Sequence, residues 1–296
     1  MINRCFCCAR MCGTDRRNSK SFCAENGNLR LARAALHHWE EPCISGTNGS
    51  GTIFFSGCNL RCIYCQNYDI STCNKGIEIS IERLREIFFE LIEQGAHNIN
   101  FVTPSHFSDG ILTALEGVKL PVPVVFNTNG YDSVENLKRF ENKIQIYLPD
   151  LKYADDELAC KFSHAPDYFA KAAAAIDEMY RQRGKFQFDD DGMLISGVVI
   201  RHLILPGHLD NSKKVIDYVA SHFQPGEVLF SLMRQYTPCG KVEPFPELQR
   251  TVTDEEYDEI ENYLFNSGIE DGFVQDKESA AEEFIPPFNG EGVLKK

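Results

Sequence analysis

No apolar run in these 296 residues approaches the roughly 20 residues that a membrane-spanning helix needs, so an integral membrane protein is not expected. The N-terminus, MINRCFCCARMC, lacks the apolar core of a secretory leader. Positive charge is scarce: 30 Lys and Arg stand against 43 Asp and Glu, for a net charge of −13. Neutralising phosphates needs clustered Lys and Arg, so a general nucleic-acid-binding surface is not expected either. Beyond residue 73 cysteine is almost missing, with only Cys160 and Cys239 left. A secreted disulfide scaffold would be smaller and would spread its cysteines along the chain. The composition that remains, 43% hydrophobic and 25% charged, is that of an ordinary globular chain. Its length fits one large domain or one domain with a small appendage. The expected location is the cytosol.

Ten of the twelve cysteines fall within the first 73 residues. The run GCNLRCIYCQN places Cys58, Cys62 and Cys65 in a C-x3-C-x2-C array directly after the strand-like TIFFS. Three thiolates on one short loop suit a soft, thiophilic centre such as iron–sulfur. With only three local ligands, a four-iron cluster keeps one iron free of protein sulfur and open to a substrate or cofactor. The rival is a zinc knuckle, although zinc usually takes four ligands, often in two paired groups. An open cluster is oxygen-sensitive, which points to an anaerobic or strongly reducing setting.

Three zones follow along the chain: residues 1–50, cysteine-rich and irregular with one helical patch near Leu29–His38; 51–266; and an acidic tail, 267–296, ending in FIPPFNGEGVLKK and expected to hug the surface or stay loose. In the middle zone, candidate strands are Thr52–Ser56, Asn98–Val102, Val122–Asn127, Ile144–Leu148, Leu194–Leu205 and Val228–Leu232. Helical patterns lie between and after them at Ser80–Gln94, Ser108–Glu116, Ser133–Phe140, Pro166–Arg183, Asn211–Phe223 and Asp254–Asn266. Ser80, Ser108, Ser133 and Asn211 are the candidate N-caps. Such alternation implies a parallel α/β sheet with right-handed crossovers, and six units are too few for a closed eight-fold barrel.

Active sites of such sheets lie at the C-terminal ends of strands. The polar residues there are Thr103, Ser105 and His106 in TPSHF, Asn127, Thr128 and Asn129 in FNTNGY, Asp150 and Lys152 in LPDLKY, Arg201 and His202 in RHLILPG, and Arg234, Gln235 and Tyr236 in LMRQYTP. A ligand carboxylate would need a cation, which Lys152 or Arg201 can supply. Asp150, Asn127 or Ser105 can accept from a ligand's ammonium and hydroxyl groups. The plain alternative is that these residues cap helices and close loops.

The cysteine array, with Tyr64 before Cys65, resembles the signature of the radical S-adenosylmethionine superfamily. There a [4Fe-4S] cluster on the three cysteines binds S-adenosylmethionine through its open iron and cleaves it reductively to a 5′-deoxyadenosyl radical. The resemblance implies a partial (β/α)6 barrel behind a cysteine-rich N-terminal extension, and the strand count agrees with it. FNTNGY, LPDLKY and RHLILPG resemble the TNG, DLK and R-x3-PG elements of the glycyl-radical-enzyme activating enzymes, typified by pyruvate formate-lyase activase. That match implies that Asp150 and Lys152 contact the cofactor. It also implies a reductant such as flavodoxin or ferredoxin and a protein substrate. The usual Gly–Gly–Glu motif is absent, TPSH standing in its place, and Asn127 stands where activases often carry Asp.

Cys5, Cys8, Cys12 and Cys23 form C-x2-C-x3-C-x10-C, four soft ligands for structural zinc or a second cluster, with Cys7 left over. The alternative is a set of reduced cysteines in a small packed lid. Cys43 and Cys73 flank the main array; either could give a hydrogen atom to a substrate radical, but small buried hydrophobes are the commoner outcome. His37 and His38 read as helix-end histidines beside acids, and no catalytic residue is singled out. Three functions remain open: hydrogen abstraction from a protein such as a glycyl radical enzyme, radical chemistry on a small molecule, peptide or cofactor precursor, and non-catalytic electron transfer.

Overall fold

Strands of a parallel sheet are buried on both faces, so β-branched and aromatic runs become strands in the middle of the chain. The computed structural model describes residues 4–275 and 286–295. In chain order the elements are β1 (Leu29–His37), α1 (Pro42–Ser45), β2 (Ser50–Phe55), α2 (Tyr68–Ser71), β3 (Ile77–Ile79), α3 (Ile81–Glu93), β4 (Ile99–Val102), α4 (Ser108–Leu115), β5 (Val124–Thr128), α5 (Val134–Lys138), β6 (Ile146–Pro149), α6 (Asp156–Ser163), α7 (Tyr168–Arg183), β7 (Gln187–Phe188), β8 (Leu194–Leu203), α8 (Leu209–His222), β9 (Leu229–Met233), α9 (Asp254–Phe265) and β10 (Gly272–Val274).

The sheet runs β10-β9-β8-β6-β5-β4-β2-β1-β3. Strands β2, β4, β5, β6, β8 and β9 are mutually parallel and in sequence order, as a partial (β/α)6 barrel requires. β10 extends it in parallel beyond β9, while β1 pairs antiparallel with β2 and β3 with β1. Among the described residues the path does not close, which leaves a gap between the β10 edge and the β1–β3 edge. No helix among them is long and apolar enough to cross a membrane.

Three local expectations are corrected. Leu29–His38 is not helical: LRLARAALH forms β1, with a bulge between Leu31 and Arg33. Its alanines favour a helix locally, but pairing with the fully buried β2 overrides that weak preference. Ser80 and Ser133 cap α3 and α5, whereas Ser108 and Asn211 lie inside their helices. The Ser108 hydroxyl instead donates to the Ser105 carbonyl at 2.6 Å. Asn211 accepts from the Ala154 N–H at 2.9 Å and donates to the Lys152 carbonyl at 3.0 Å, which ties α8 to the loop after β6.

The tail packs down where it is described. Phe288 meets Phe54 edge-on, Arg33 pairs with Glu291, and Arg83 donates to the carbonyls of Gly292 and Val293. Phe284 and Ile285, which begin FIPPF, lie outside the described residues. At the start of α9, Thr253 and Glu256 form a capping box. Thr253→Ala should cost about 1 kcal/mol of stability, read from urea unfolding. The hydrogen bond from Arg250 leads in holding the Glu256 carboxyl down to about 2. Its contribution is therefore complete above its ordinary 4.5 and is lost as pH falls towards 2.

Candidate functional site

The C-terminal ends of the parallel strands open on a cavity of about 620 Å³. Cys58, Cys62 and Cys65 line it from the loop after β2, Thr103 from the end of β4, and Asn127 to Asn129 from β5. Asp150 and Lys152 reach it from the loop after β6, and Arg201 from β8. The cavity extends to the gap in the sheet, where Trp39 and Val274 on its rim are 58% and 41% exposed.

The loops are locked to one another by backbone geometry. Gly130 has φ +78°, and a Cβ there would lie 2.2 Å from the Asp150 carbonyl oxygen, so the TNG turn and the DLK loop can approach only through glycine. The Tyr168 hydroxyl lies 2.8 Å from the Asn129 carbonyl and 2.9 Å from that of Asp150, and accepts from the Lys152 N–H at 3.0 Å. Gly57, before the first cysteine of the array, has φ +77° and would place a Cβ 2.5 Å from the Cys23 carbonyl. The N-terminal segment thus backs the cysteine loop, and Arg10 donates to the carbonyls of Asn59 and His164 at 2.9 and 2.8 Å.

The array's sulfurs are surrounded by donors. Ser163 donates to Cys62 Sγ at 2.9 Å, and both the Leu60 N–H and Asn129 Nδ2 approach Cys58 Sγ at 3.4 Å. Burial pushes the Cys62 thiol up to about 12 and raises Cys65, with the neighbouring thiols adding to both shifts. Among the described residues, no three His, Cys, Asp or Glu side chains stand as a ready-made metal cage. The array offers three buried or half-buried thiols on one cavity wall, with hydrogen-bond donors aimed at two of them.

Below the cysteines lies an ion network that sequence reasoning reached only in part. Arg201 Nε donates to Asp150 at 2.9 Å, Nη1 to Glu40 at 3.0 Å, and Nη2 to Asn127 Oδ1 at 2.7 Å. Glu40 also accepts from Asn100 and Asn127, and Lys152 donates to the far oxygen of Asp150 at 2.6 Å. Glu41, 8% exposed, stands beside Glu40, and its Oε2 has no hydrogen-bond partner. Glu40 and Glu41 were missed because an acidic pair after HHW reads as a solvated run. The signal available was the Pro-Cys-Ile that follows it, which turns the segment inward as the buried α1.

Burial raises both Glu40 and Glu41, against the pull of Arg201. Burial also acts to raise Asp150, but Arg201 and Lys152 outweigh it and hold the carboxyl below its ordinary range. Three carboxyls thus face two cations, and the Glu40–Glu41 pair takes up a proton before Asp150 does.

Ser105 is not on the cavity wall. It donates to the buried Asp132 carboxylate, which also accepts from Thr128 at 2.6 Å. In the N-terminal set, Cys5, Cys8 and Cys23 are buried and Cys12 is exposed. The leftover Cys7 hydrogen-bonds Cys5, and that bond leads in lowering Cys5 to about 5. Cys43 is buried beside Ile44, and Cys73 is exposed. His37 is the last residue of β1 and His38 follows it, so the two end a strand rather than a helix, at the rim of the cavity.

A family model described as "Radical SAM superfamily" matches residues 52–219. The chain belongs to the radical SAM superfamily. Membership implies a [4Fe-4S] cluster, S-adenosylmethionine and radical catalysis. The chain is also 28% identical over 274 residues to an uncharacterized protein of Methanocaldococcus jannaschii, covering 89% of this chain and 74% of that protein. HydG, a maturase of the [FeFe]-hydrogenase, matches at a TM-score of 0.53 and 17% identity over 77% of this chain and 52% of its own, a likeness of fold alone. SuiB of Streptococcus suis, bound to the precursor peptide SuiA, gives 0.49 and 11% over 74% and 46%. The chain spans about half the length of these two structures. Three thiols, with N–H and O–H donors around two of them, fit a cluster: its sulfur ligands are anionic, and such donors are what tunes them.

Proposed function

We propose that this radical SAM enzyme holds its cluster on Cys58, Cys62 and Cys65 and abstracts hydrogen from a protein segment, the backbone glycine of a glycyl radical enzyme being the leading case. When bound, the cluster supplies the low-potential electron that cleaves S-adenosylmethionine, drawn from a reductant such as flavodoxin or ferredoxin. The protein's part is to hold, orient and keep water away. Lys152, which lies close enough to Cys62 for each to shift the other's titration, gives one N–H to Asp150 and keeps two donors for the cofactor's carboxylate. Arg201 spends a donor on each of three protein acceptors and serves to fix Asp150 and Asn127. Asp150 and Asn127 present acceptors to the cofactor's polar groups, while Ser105 supports that wall through Asp132. Cys5, Cys8, Cys12 and Cys23 hold zinc or a second cluster in this reading, which the burial of three of them beside the cysteine loop supports.

The observation that carries the protein-substrate reading is the cavity mouth. Described residues N-terminal to His37 contribute nothing to the cavity wall. Those residues, 4–36, back the cluster loop rather than cross the opening, where they would be the lid a small-molecule enzyme needs, and only the end of the cysteine-rich zone, from His37 to Gly46, reaches the wall and rim. Lys152→Ala should raise the Kd for S-adenosylmethionine by about 10- to 100-fold, the worth of one charge-assisted hydrogen bond, measured by equilibrium dialysis.

The function is tested by anaerobic turnover with dithionite, S-adenosylmethionine and a glycyl radical enzyme, reading 5′-deoxyadenosine and the electron paramagnetic resonance of the partner. A polypeptide-centred doublet supports the proposal. 5′-Deoxyadenosine formed only with low-mass substrates overturns it in favour of a small-molecule enzyme. A reducible cluster with no binding of S-adenosylmethionine would favour electron transfer.

A further inference from the structure

Behind the cysteine array runs a buried line of hydroxyls that the functional reading above does not use. The Tyr64 hydroxyl lies 2.6 Å from that of Tyr153, Tyr153 lies 2.6 Å from Ser163 Oγ, and Ser163 donates to Cys62 Sγ at 2.9 Å. Tyr153 and Ser163 are fully buried, and Tyr64 and Cys62 nearly so. Tyr64 is the aromatic between Cys62 and Cys65 and also faces the cavity. The line therefore leaves the array at one residue and returns to it at another two positions away, through α6 and the loop after β6.

Proton counting gives the line a direction. A metal-bound thiolate can only accept, so the single Ser163 hydrogen points at Cys62. Ser163 must then accept from Tyr153, whose own hydrogen is spent, and Tyr153 accepts from Tyr64. All three O–H dipoles are aligned with their positive ends towards one sulfur, in surroundings that burial makes weakly screening. Each bond in such a chain polarises the next.

We infer that Tyr64, Tyr153 and Ser163 act together as a positioning and tuning relay that raises the reduction potential of the cluster through Cys62. The inference rests on the proposal that Cys62 is a cluster ligand. The reduced cluster carries one more negative charge than the oxidised one, so donors aimed at a ligand sulfur stabilise it more and draw the potential upwards. The other donors on the array are weaker in geometry: the Leu60 N–H and Asn129 Nδ2 both stand at 3.4 Å from Cys58. Cys62 thus has a closer donor than Cys58, and that donor ends a buried line of aligned hydroxyls. The position of Tyr64 on the cavity wall also links that line to whatever occupies the cavity.

The test is a dye-mediated reductive titration of the anaerobically reconstituted holoenzyme, followed by electron paramagnetic resonance, with iron and sulfide measured on every sample. Ser163→Ala should keep its iron and lower the midpoint by the equivalent of a tenfold change in the reduction equilibrium, about 59 mV for one electron. Tyr153→Phe removes one oxygen and keeps the ring packing, and should shift the potential in the same direction by less. Tyr64→Phe should shift it least. Unchanged midpoints in Ser163→Ala and Tyr153→Phe, at full iron content, would overturn the inference. If Cys62→Ala instead loads iron and titrates like the parent, the ligand assignment beneath it fails, and the two failures are told apart by iron content.

Discussion

Cys62→Ala is expected to fold and to lose the [4Fe-4S] cluster, and with it all cleavage of S-adenosylmethionine. Cys62 sits in the middle of the array on a cavity wall it shares with Cys58 and Cys65. Three thiols are the minimum that leaves only one iron open, so removing one opens a second iron to solvent and oxygen. The fold should tolerate the change. The variant deletes one sulfur, leaves the Ser163 hydroxyl short of one acceptor, and disturbs no charge, for a cost of about 1–3 kcal/mol. Iron and sulfide analysis, with far-ultraviolet circular dichroism as the folding control, separates loss of cluster from loss of structure. Cys73→Ala is the matched control: its thiol is exposed, and it should retain iron and activity in full. Equal iron in the two variants would remove Cys62 from the ligand set.

What could be read from the sequence was what is local in the chain. The cysteine array is visible because its three cysteines fall within eight residues, and the sheet because each parallel strand is a buried apolar run between longer amphipathic segments. Cys58, Cys62, Cys65, Asn127, Asp150, Lys152 and Arg201 all reach one cavity because strand ends in such a sheet converge. The features that escaped depend on partners far along the chain. Glu40 meets Arg201 across 161 positions, so nothing near it distinguishes a buried anchor from a surface acid. Ser163 ends α6, an eight-residue helix with too few apolar positions to register as a period, and its bond to Cys62 spans 101 positions. β1 was hidden by its alanines, whose local preference gave way to pairing with β2. Ser105 failed differently: it sits at the right strand end, but the short 3-10 turn Ser105–Phe107 directs its hydroxyl to Asp132.

The largest effect on stability should come from Arg201→Met. The side chain is similar in length, so packing is nearly kept, but Asp150 and Glu40 lose the cation between them. Removing one member of a buried ion network leaves uncompensated charge, at about 3–5 kcal/mol, a large share of the stability of an ordinary domain. The pH dependence identifies the cause. In the parent, Asp150 titrates below its ordinary range, so its contribution is complete above the unfolded value and is lost as pH falls through the folded one. Without Arg201, burial outweighs the remaining pull of Lys152, so the folded-state value of Asp150 rises above its unfolded one and that of Glu40, already raised in the parent, rises further. The folded variant then binds more protons than the unfolded chain, and its stability falls as pH rises. Urea unfolding at pH 5 and at pH 8 should therefore show the gap between variant and parent widening towards pH 8. Adding Glu40→Gln to Arg201→Met removes one of the stranded charges while keeping a side chain of the same shape, and should recover part of the loss. A pH-independent deficit that Glu40→Gln does not relieve would mean that Arg201 acts through its packing, and that the carboxyls around it are held by something other than its charge.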